Sequence, residues 1–283
     1  DIEYDLYDLY LIPASGGEMQ KIAGPEGEKA NPVISPDGKW VAYYANDKRG
    51  EWWRNTNLWL LPLDGASPAR SLTSALDVNI SPDVINDMNG GAVALGKPAW
   101  SADGKTLTFQ VGRHGSSTIR SIDLESGGTR VLTPEPGTAG VFSFDRNQGT
   151  MAYFATTMKD PGQICILEMS SGESRQITDF NPWLAEVDLG QVEEIWFKGA
   201  DGNDLQGWIL TPPGFDPAKK YPSILEIHGG PMAQYGHNFM HEFYFLAAQG
   251  YVVYFCNPRG GQGYGEAHTK AIWGDWGNVD YAD

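Results

Sequence analysis

The sequence predicts two architectures in series: repeated four-stranded antiparallel sheets over its first two-thirds, then the opening of a mixed strand-helix-strand sheet. Three observations carry that reading. A turn-centred motif recurs, Ser35-Pro36-Asp37-Gly38 and Ser101-Ala102-Asp103-Gly104, each between two apolar or β-branched runs. A second pattern follows each copy, an alternating strand closed by Leu-Thr or Ile-Thr, at Leu72-Thr73, Leu132-Thr133 and Ile177-Thr178. Beyond residue 190 the repeat stops, and two apolar runs, 221–227 and 251–256, flank a stretch with helical spacing.

Each Asp-Gly motif predicts a hairpin, because glycine accepts the positive φ that a tight turn demands. A weaker third copy is centred on Asp145-Arg146-Asn147-Gln148-Gly149. Four short strands per unit, recurring at roughly 40 residues, is the pattern of a β-propeller blade. The first 23 residues supply only the second half of such a unit. Residues 1–190 are therefore expected to form a partial β-propeller of about three and a half blades, with further blades upstream, since a ring needs about four to eight. The step from Ser35 to Ser101 exceeds the blade period through an insertion around residues 75–97. Within it Asp77, Asn79, Ser81 and Asp83 alternate like calcium-loop ligands, but Pro82 replaces the required glycine and Met88 stands where the closing glutamate belongs. A polar rim loop is the expected reading.

Residues 191–283 read differently. A hairpin with its own Asp201-Gly202 turn precedes the first apolar run, whose near-continuous hydrophobicity suggests a strand buried on both faces. The turn His228-Gly229-Gly230-Pro231 ends that run. Phe239, Phe243, Leu246 and Ala247 then recur at helical spacing, with Asn238 as candidate N-cap and Gly250 as stop, before the second strand. A further helix is expected near 277–283, with Asp280 or Asp283 at its start. Hairpin, strand, turn, helix and strand in this order open an α/β-hydrolase sheet.

Composition excludes several functions. Lys plus Arg number 20 against 36 Asp plus Glu, a net charge of −16 that repels nucleic acid and anionic lipid. No apolar run approaches the roughly 20 residues of a membrane span. Cys165 and Cys256 are too few for a disulfide framework or a zinc cluster, so two free thiols in the cytoplasm are expected. His237 and His241 are four apart but lack the adjacent glutamate of a zinc-peptidase helix, and Gly260-Gly261 with Gly263 and Gly265 lacks the order of a nucleotide loop. No metal and no cofactor are predicted.

The chain resembles the prolyl-oligopeptidase family of serine peptidases, in particular its acylaminoacyl-peptidase and dipeptidyl-peptidase-like members. The matching residues are the Ser-Pro-Asp-Gly blade turns, Gly207-Trp208, Tyr221-Pro222, His228-Gly229-Gly230-Pro231, Asn257-Pro258-Arg259-Gly260, Gly263-Tyr264-Gly265 and Trp273-Gly274-Asp275-Trp276-Gly277. The resemblance implies a propeller that filters access to a hydrolase cutting short peptides near an end. It also implies that Gly230 presents a backbone N–H to the oxyanion, with Gly229 and Arg259 as candidate substrate-binding residues; Arg259 equally suits a structural ion pair. His228 comes too early in the chain for the catalytic base and suits a turn-shaping role. No G-x-S-x-G nucleophile elbow is present, so residues 191–283 read as the N-terminal portion of the hydrolase domain without its Ser-Asp-His triad. Such a chain is expected to be inactive alone and to be completed by a second polypeptide or by self-association. A carboxylesterase on the same fold, or a non-catalytic propeller scaffold, are the alternatives.

Overall fold

The computed structural model describes residues 7–88 and 95–283. A short hairpin, β1 (Tyr10–Leu11) and β2 (Gln20–Lys21), precedes three antiparallel meanders. The first comprises β3 (Lys29–Ile34), β4 (Trp40–Ala45), β5 (Asn57–Pro62) and β6 (Arg70–Ser71), hydrogen-bonded in sequence order. The second comprises β7 (Ala99–Trp100), β8 (Thr106–Arg113), β9 (Ser116–Asp123) and β10 (Thr129–Val131). The third comprises β11 (Thr138–Phe144), β12 (Thr150–Thr157), β13 (Asp160–Glu168) and β14 (Ser174–Gln176). A single parallel pairing, Thr138 with Ser117, joins the last two meanders along one edge.

Two side-chain devices explain the repeat. In the first turn the Ser35 hydroxyl donates to Asp37 Oδ1 at 2.6 Å and accepts the Trp40 N–H at 3.0 Å, while Gly38 turns the chain at φ 72°. Ser101, Asp103 and Gly104 repeat these contacts at 2.6 and 2.9 Å with φ 69°. In the third copy Asp145 does the work of the serine, accepting the Thr150 N–H at 3.0 Å, and Gln148 occupies the glycine position at φ 54°. A non-glycine residue is strained there. Its amide offsets the strain by bridging to the neighbouring turn, accepting from Ala102 N at 2.6 Å and donating to Trp100 O at 2.7 Å. The second device is the closing threonine: the hydroxyls of Thr73, Thr133 and Thr178 accept the N–H of Leu58, Ile119 and Ile164 at 3.0, 3.0 and 2.9 Å. Each carries the strand pairing past the end of its short fourth strand.

The meanders stack through apolar faces. Tyr44, Leu58, Leu107 and Phe109 fill the space between the first two, and Ile119, Met151, Tyr153 and Leu167 that between the second and third. Between them runs the insertion, of which residues 89–94 lie outside the described residues.

A second sheet follows, formed by β15 (Gln191–Lys198), β16 (Asp204–Thr211), β17 (Ser223–Glu226) and β18 (Val252–Cys256) in the order β15-β16-β18-β17. β17 and β18 are parallel and the other pairs antiparallel, so helix α1 (His241–Ala248) makes the crossover. Its Phe243 and Ala247 pack on Trp208, Leu210, Val253 and Phe255. Two short helices, α2 (Glu266–Lys270) and α3 (Val279–Ala282), complete the chain, and Asp280 Oδ1 accepts the Gly277 N–H at 2.9 Å ahead of α3. Two expectations are corrected. β17 is an edge strand, and Leu225 and Ile227 are 60% and 73% exposed rather than buried on both faces. Asn238 does not cap α1: its Oδ1 accepts from Thr156 Oγ1 and its Nδ2 donates to Val84 O. The helix is capped instead by Asp87 of the insertion, whose two carboxylate oxygens take the His241 and Glu242 amides at 2.7 and 2.6 Å. Gly250, at φ 91°, does end the helix.

The two parts meet backbone to backbone. The His237 N–H donates to Gly115 O at 2.7 Å, and a Cβ on Gly236 would lie 2.0 Å from that same oxygen. Gly236→Ala is therefore expected to lower unfolding free energy by about 1–3 kcal/mol through overpacking. Gly149→Ala, where a Cβ meets nothing within 4 Å, should be near neutral in the same thermal melt.

Candidate active site

The His228-Gly229-Gly230-Pro231 turn sits just past the carboxyl end of β17, beside the central strand β18. Ligands of open α/β sheets gather at that edge. Gly229 and Gly230 are both exposed. Gly230 has φ 136°, and its added Cβ would meet Met232 N at 3.0 Å, so glycine is required there by the backbone. At Gly229 a Cβ would meet nothing within 4 Å and φ lies outside the positive region. Packing among the described residues places no demand for glycine at that position. Among the described residues the Gly230 N–H donates to no acceptor. Pro231 and the segment after it then turn back against the sheet.

Asn257, fully buried at the end of β18, fixes that return. Its Oδ1 accepts the Tyr235 N–H at 2.7 Å, and its Nδ2 donates to Tyr235 O at 2.8 Å and to the Tyr264 hydroxyl at 2.6 Å. The Tyr264 hydroxyl donates in turn to Gln206 Oε1 at 2.6 Å, and Gln206 Nε2 donates to Glu194 Oε1 at 2.8 Å. Burial pushes the Tyr264 phenol far above its ordinary value, keeping it a donor. This chain of polar groups runs from β15 to the turn with every member paired, the condition under which a buried network rigidifies its surroundings.

The remaining predicted residues fall into place as follows. Arg259 grips Asp283 through Nε and Nη2, both at 2.7 Å, and Asp201 through Nη1 at 2.7 Å. Its guanidinium is thus engaged in a bidentate ion pair plus a second carboxylate, and these contacts raise its pKa further. The structure brings Gly229 and Gly230 together at the open turn and commits the Arg259 head group to structure. His228 Nδ1 lies 3.0 Å from Gly229 O, its ring meets Tyr235 edge-on, and Nε2 is buried without a partner. His237 Nε2 lies 3.2 Å from Glu194 Oε2 rather than beside His241, and among the described residues no cluster of three His, Cys, Asp or Glu side chains is arranged to hold a metal.

The calcium-like residues of the insertion serve another purpose. Asp77 Oδ1 accepts from Asn55 Nδ2 at 2.8 Å and from the Glu266 amide at 2.9 Å. Asn79 accepts from Thr56 N at 2.8 Å, and its side-chain amide lies 2.8 Å from that of Gln262. They stitch the first meander to the loop and helix that follow β18. Cys165 and Cys256 are free and half-buried, and burial raises both thiols. No helix among the described residues is long and apolar enough to cross a membrane.

A turn that presents an open backbone N–H beside a strand-helix-strand crossover, behind stacked four-stranded meanders, defines the class as propeller-type blades joined to an α/β-hydrolase-type sheet. Residues 237–283 match the model of the prolyl oligopeptidase family. The chain is 30% identical to the uncharacterized peptidase YuxL of Bacillus subtilis over 97% of this chain and 49% of the relative. It is 27% identical to dipeptidyl-peptidase 5 of Arthroderma otae, over 97% of this chain and 38% of the relative. The chain thus spans half or less of the length of these curated relatives. The acylaminoacyl peptidase of Pyrococcus horikoshii shares the fold, with a TM-score of 0.76 at 22% identity, covering 99% of this chain and 40% of that one. A puromycin-hydrolyzing peptidase of Mycobacterium tuberculosis superposes at 0.71 with 18% identity, over 96% and 40% of the two chains.

Two predictions follow from the site's polar groups. Asn257→Leu strands the buried Tyr235 N–H and C=O at roughly 1–3 kcal/mol each, so denaturant unfolding should show a loss of about 3 kcal/mol. His114, His228, His237 and His268 all titrate below the ordinary histidine value, each chiefly because burial disfavours the imidazolium. The unfolded chain therefore takes up these protons first. Stability is intact above the unfolded value of about 6.5 and falls as the pH drops through the folded values. Melting temperature should decline from about pH 7 to about pH 5, and His268→Gln should shallow that decline.

Proposed function

We propose that this chain is part of a serine-type peptidase that hydrolyses short peptides near an end, and that the Gly230 N–H is one of its oxyanion donors. The observation that carries the reading is the Gly229-Gly230 turn. Among the described residues, one glycine keeps an N–H unspent at the sheet's carboxyl edge, and the other keeps a space free that no residue fills. The peptidase relatives support the chemistry, and the dipeptidyl-peptidase and acylaminoacyl-peptidase among them support a substrate held near its terminus.

In this reading a serine oxygen attacks the scissile carbonyl, a histidine takes its proton and passes it to the leaving amine, and charge collects on the carbonyl oxygen. Gly230 stabilises that charge together with a second N–H beside the serine. Residues 1–190 filter access, and residues 191–283 supply the oxyanion wall without the triad. The 283-residue chain alone is then inactive. The outer edge of β17, which pairs with no strand among the described residues, receives the rest of the sheet from a longer chain, a second polypeptide or a second copy. Two free thiols suit a reducing cytoplasm.

The test uses the full-length protein that carries this chain. It should react with a fluorophosphonate and cleave dipeptidyl or N-acylaminoacyl anilides; failure to label would overturn the reading. Gly230→Ala, which forces a Cβ against Met232 N, should lower kcat by about 10²–10³-fold with KM little changed. Gly229→Ala should leave the melting temperature unchanged and raise KM, because the methyl group enters only the space kept for substrate.

A further inference from the structure

We infer that residues 83–87 of the insertion hold the Gly229-Gly230 turn in place, with Gln234 as the positioning residue through which they act. This rests on the reading of Gly230 as an oxyanion donor. Gln234 lies four residues beyond Gly230 and is 1% exposed. Its backbone is gripped from both sides by the insertion: the Gln234 N–H donates to Asp83 O at 2.9 Å, and the Ile85 N–H donates to Gln234 O at 2.8 Å. Val84 and Gln234 thereby form a parallel bridge across the two parts of the chain.

The side chain is equally fixed. Gln234 Oε1 accepts the Gly115 N–H at 2.8 Å, and a Cβ on Gly263 would lie 2.3 Å from that oxygen, so the amide fills a slot kept open by glycine. The same insertion continues to grip the next residues in register. Val84 O accepts from Asn238 Nδ2 at 3.2 Å, and Asp87 takes the His241 and Glu242 amides. Between Gly230 and Gln234 the backbone–backbone ties among the described residues are Ala233 N to Pro231 O at 2.7 Å and Gln262 N to Ala233 O at 3.1 Å. The turn is therefore anchored downstream at three successive residues, Ala233 by the Gln262 N–H, Gln234 by the insertion and Tyr235 by Asn257 of the sheet. Asn257 fixes one side only; the direction in which the turn leaves the sheet is set by the partner of Gln234.

Two pairs of substitutions in the full-length protein test this. Ile85→Pro deletes the N–H that Gln234 accepts, and Ile85→Ala removes the same side chain but keeps that N–H. Displacing a reacting geometry by a fraction of an ångström to an ångström costs up to about a hundredfold, so kcat of the proline variant should fall at least about tenfold below that of the alanine variant, with KM within about twofold. Affinity for a peptidyl boronic acid, which mimics the tetrahedral adduct, should fall by the same factor. Amide hydrogen exchange over residues 229–235 should accelerate in the proline variant alone. Asp87→Ala should move the same readouts in the same direction by a smaller factor, and Asp87→Asn, which keeps an acceptor, should recover them. Equal kcat, equal boronate affinity and equal exchange in the proline and alanine variants overturn the inference. If Ile85→Pro fails to fold, the Asp87 pair decides by the same measurements. Should Gly230→Ala leave kcat unchanged, the oxyanion reading fails, while the exchange data still decide whether the insertion holds the turn.

Discussion

The approach of Gly115 to Gly236 governs how the two parts of the chain meet. A Cβ on Gly236 would fall 2.3 Å from the Gly115 Cα, and a Cβ on Gly115 would fall 2.8 Å from the Trp208 ring, so neither position has room for a side chain. With the backbones that close, His237 N reaches Gly115 O, Gln234 Oε1 reaches Gly115 N, and the His114 N–H reaches Gly263 O at 3.2 Å. The β8–β9 turn is thus inserted among three segments of the hydrolase-type part at once. Moving it by the width of a methyl group would unmake buried hydrogen bonds on every side, each costly to leave unmade.

That contact also explains why the junction is polar where the cores are apolar. The meanders stack on leucine, phenylalanine and isoleucine faces, which tolerate small slips because apolar contact is not directional. The junction uses Asn79, Gln234, Asn238, Gln262 and Asp87, whose hydrogen bonds exist in one register only. Burial of the four amides is permitted because they are paired, and the pairing, together with the exposed Asp87 cap, fixes an orientation that apolar packing would leave loose. The four half-buried histidines belong to the same region, and because burial holds each below its ordinary value the junction loses stability as the pH falls.

Local physics was legible in the residues and non-local physics was not. The two Ser-x-Asp-Gly turns and the closing threonines announce themselves because all their contacts lie within about one hairpin. The third turn reads as weaker because Gln148 stands at a glycine position, and its compensation comes from Trp100 and Ala102, 48 and 46 residues away. Helix α1 was placed by its apolar spacing, but its cap was not. Asn238 is the right residue type in nearly the right place, yet the amides are taken by Asp87, 154 residues upstream. β17 looked doubly buried because hydrophobicity records what a strand is suited to, whereas its exposure depends on what lies beside it in the sheet. Asn257 stood out only as part of the Asn257-Pro258-Arg259-Gly260 motif and Gln234 not at all, and their roles depend on where Tyr235 and Gly115 arrive in space.

The Gly229-Gly230 turn, proposed above to supply an oxyanion donor, inherits its geometry from this arrangement. A donor pre-aimed at developing charge is effective only if it does not reorganise when the charge appears, and a glycine pair has no side chain of its own to prevent that. Gly230 is flexible by composition, so its rigidity has to be imposed from outside. The structure supplies two constraints of different origin, the Asn257 amide from the sheet that carries the turn and the Asp83 and Ile85 backbone from the insertion behind it. An insertion that departs from the blade period is thus accounted for by what it grips. It reaches across the junction to the one segment whose precision the proposed chemistry requires.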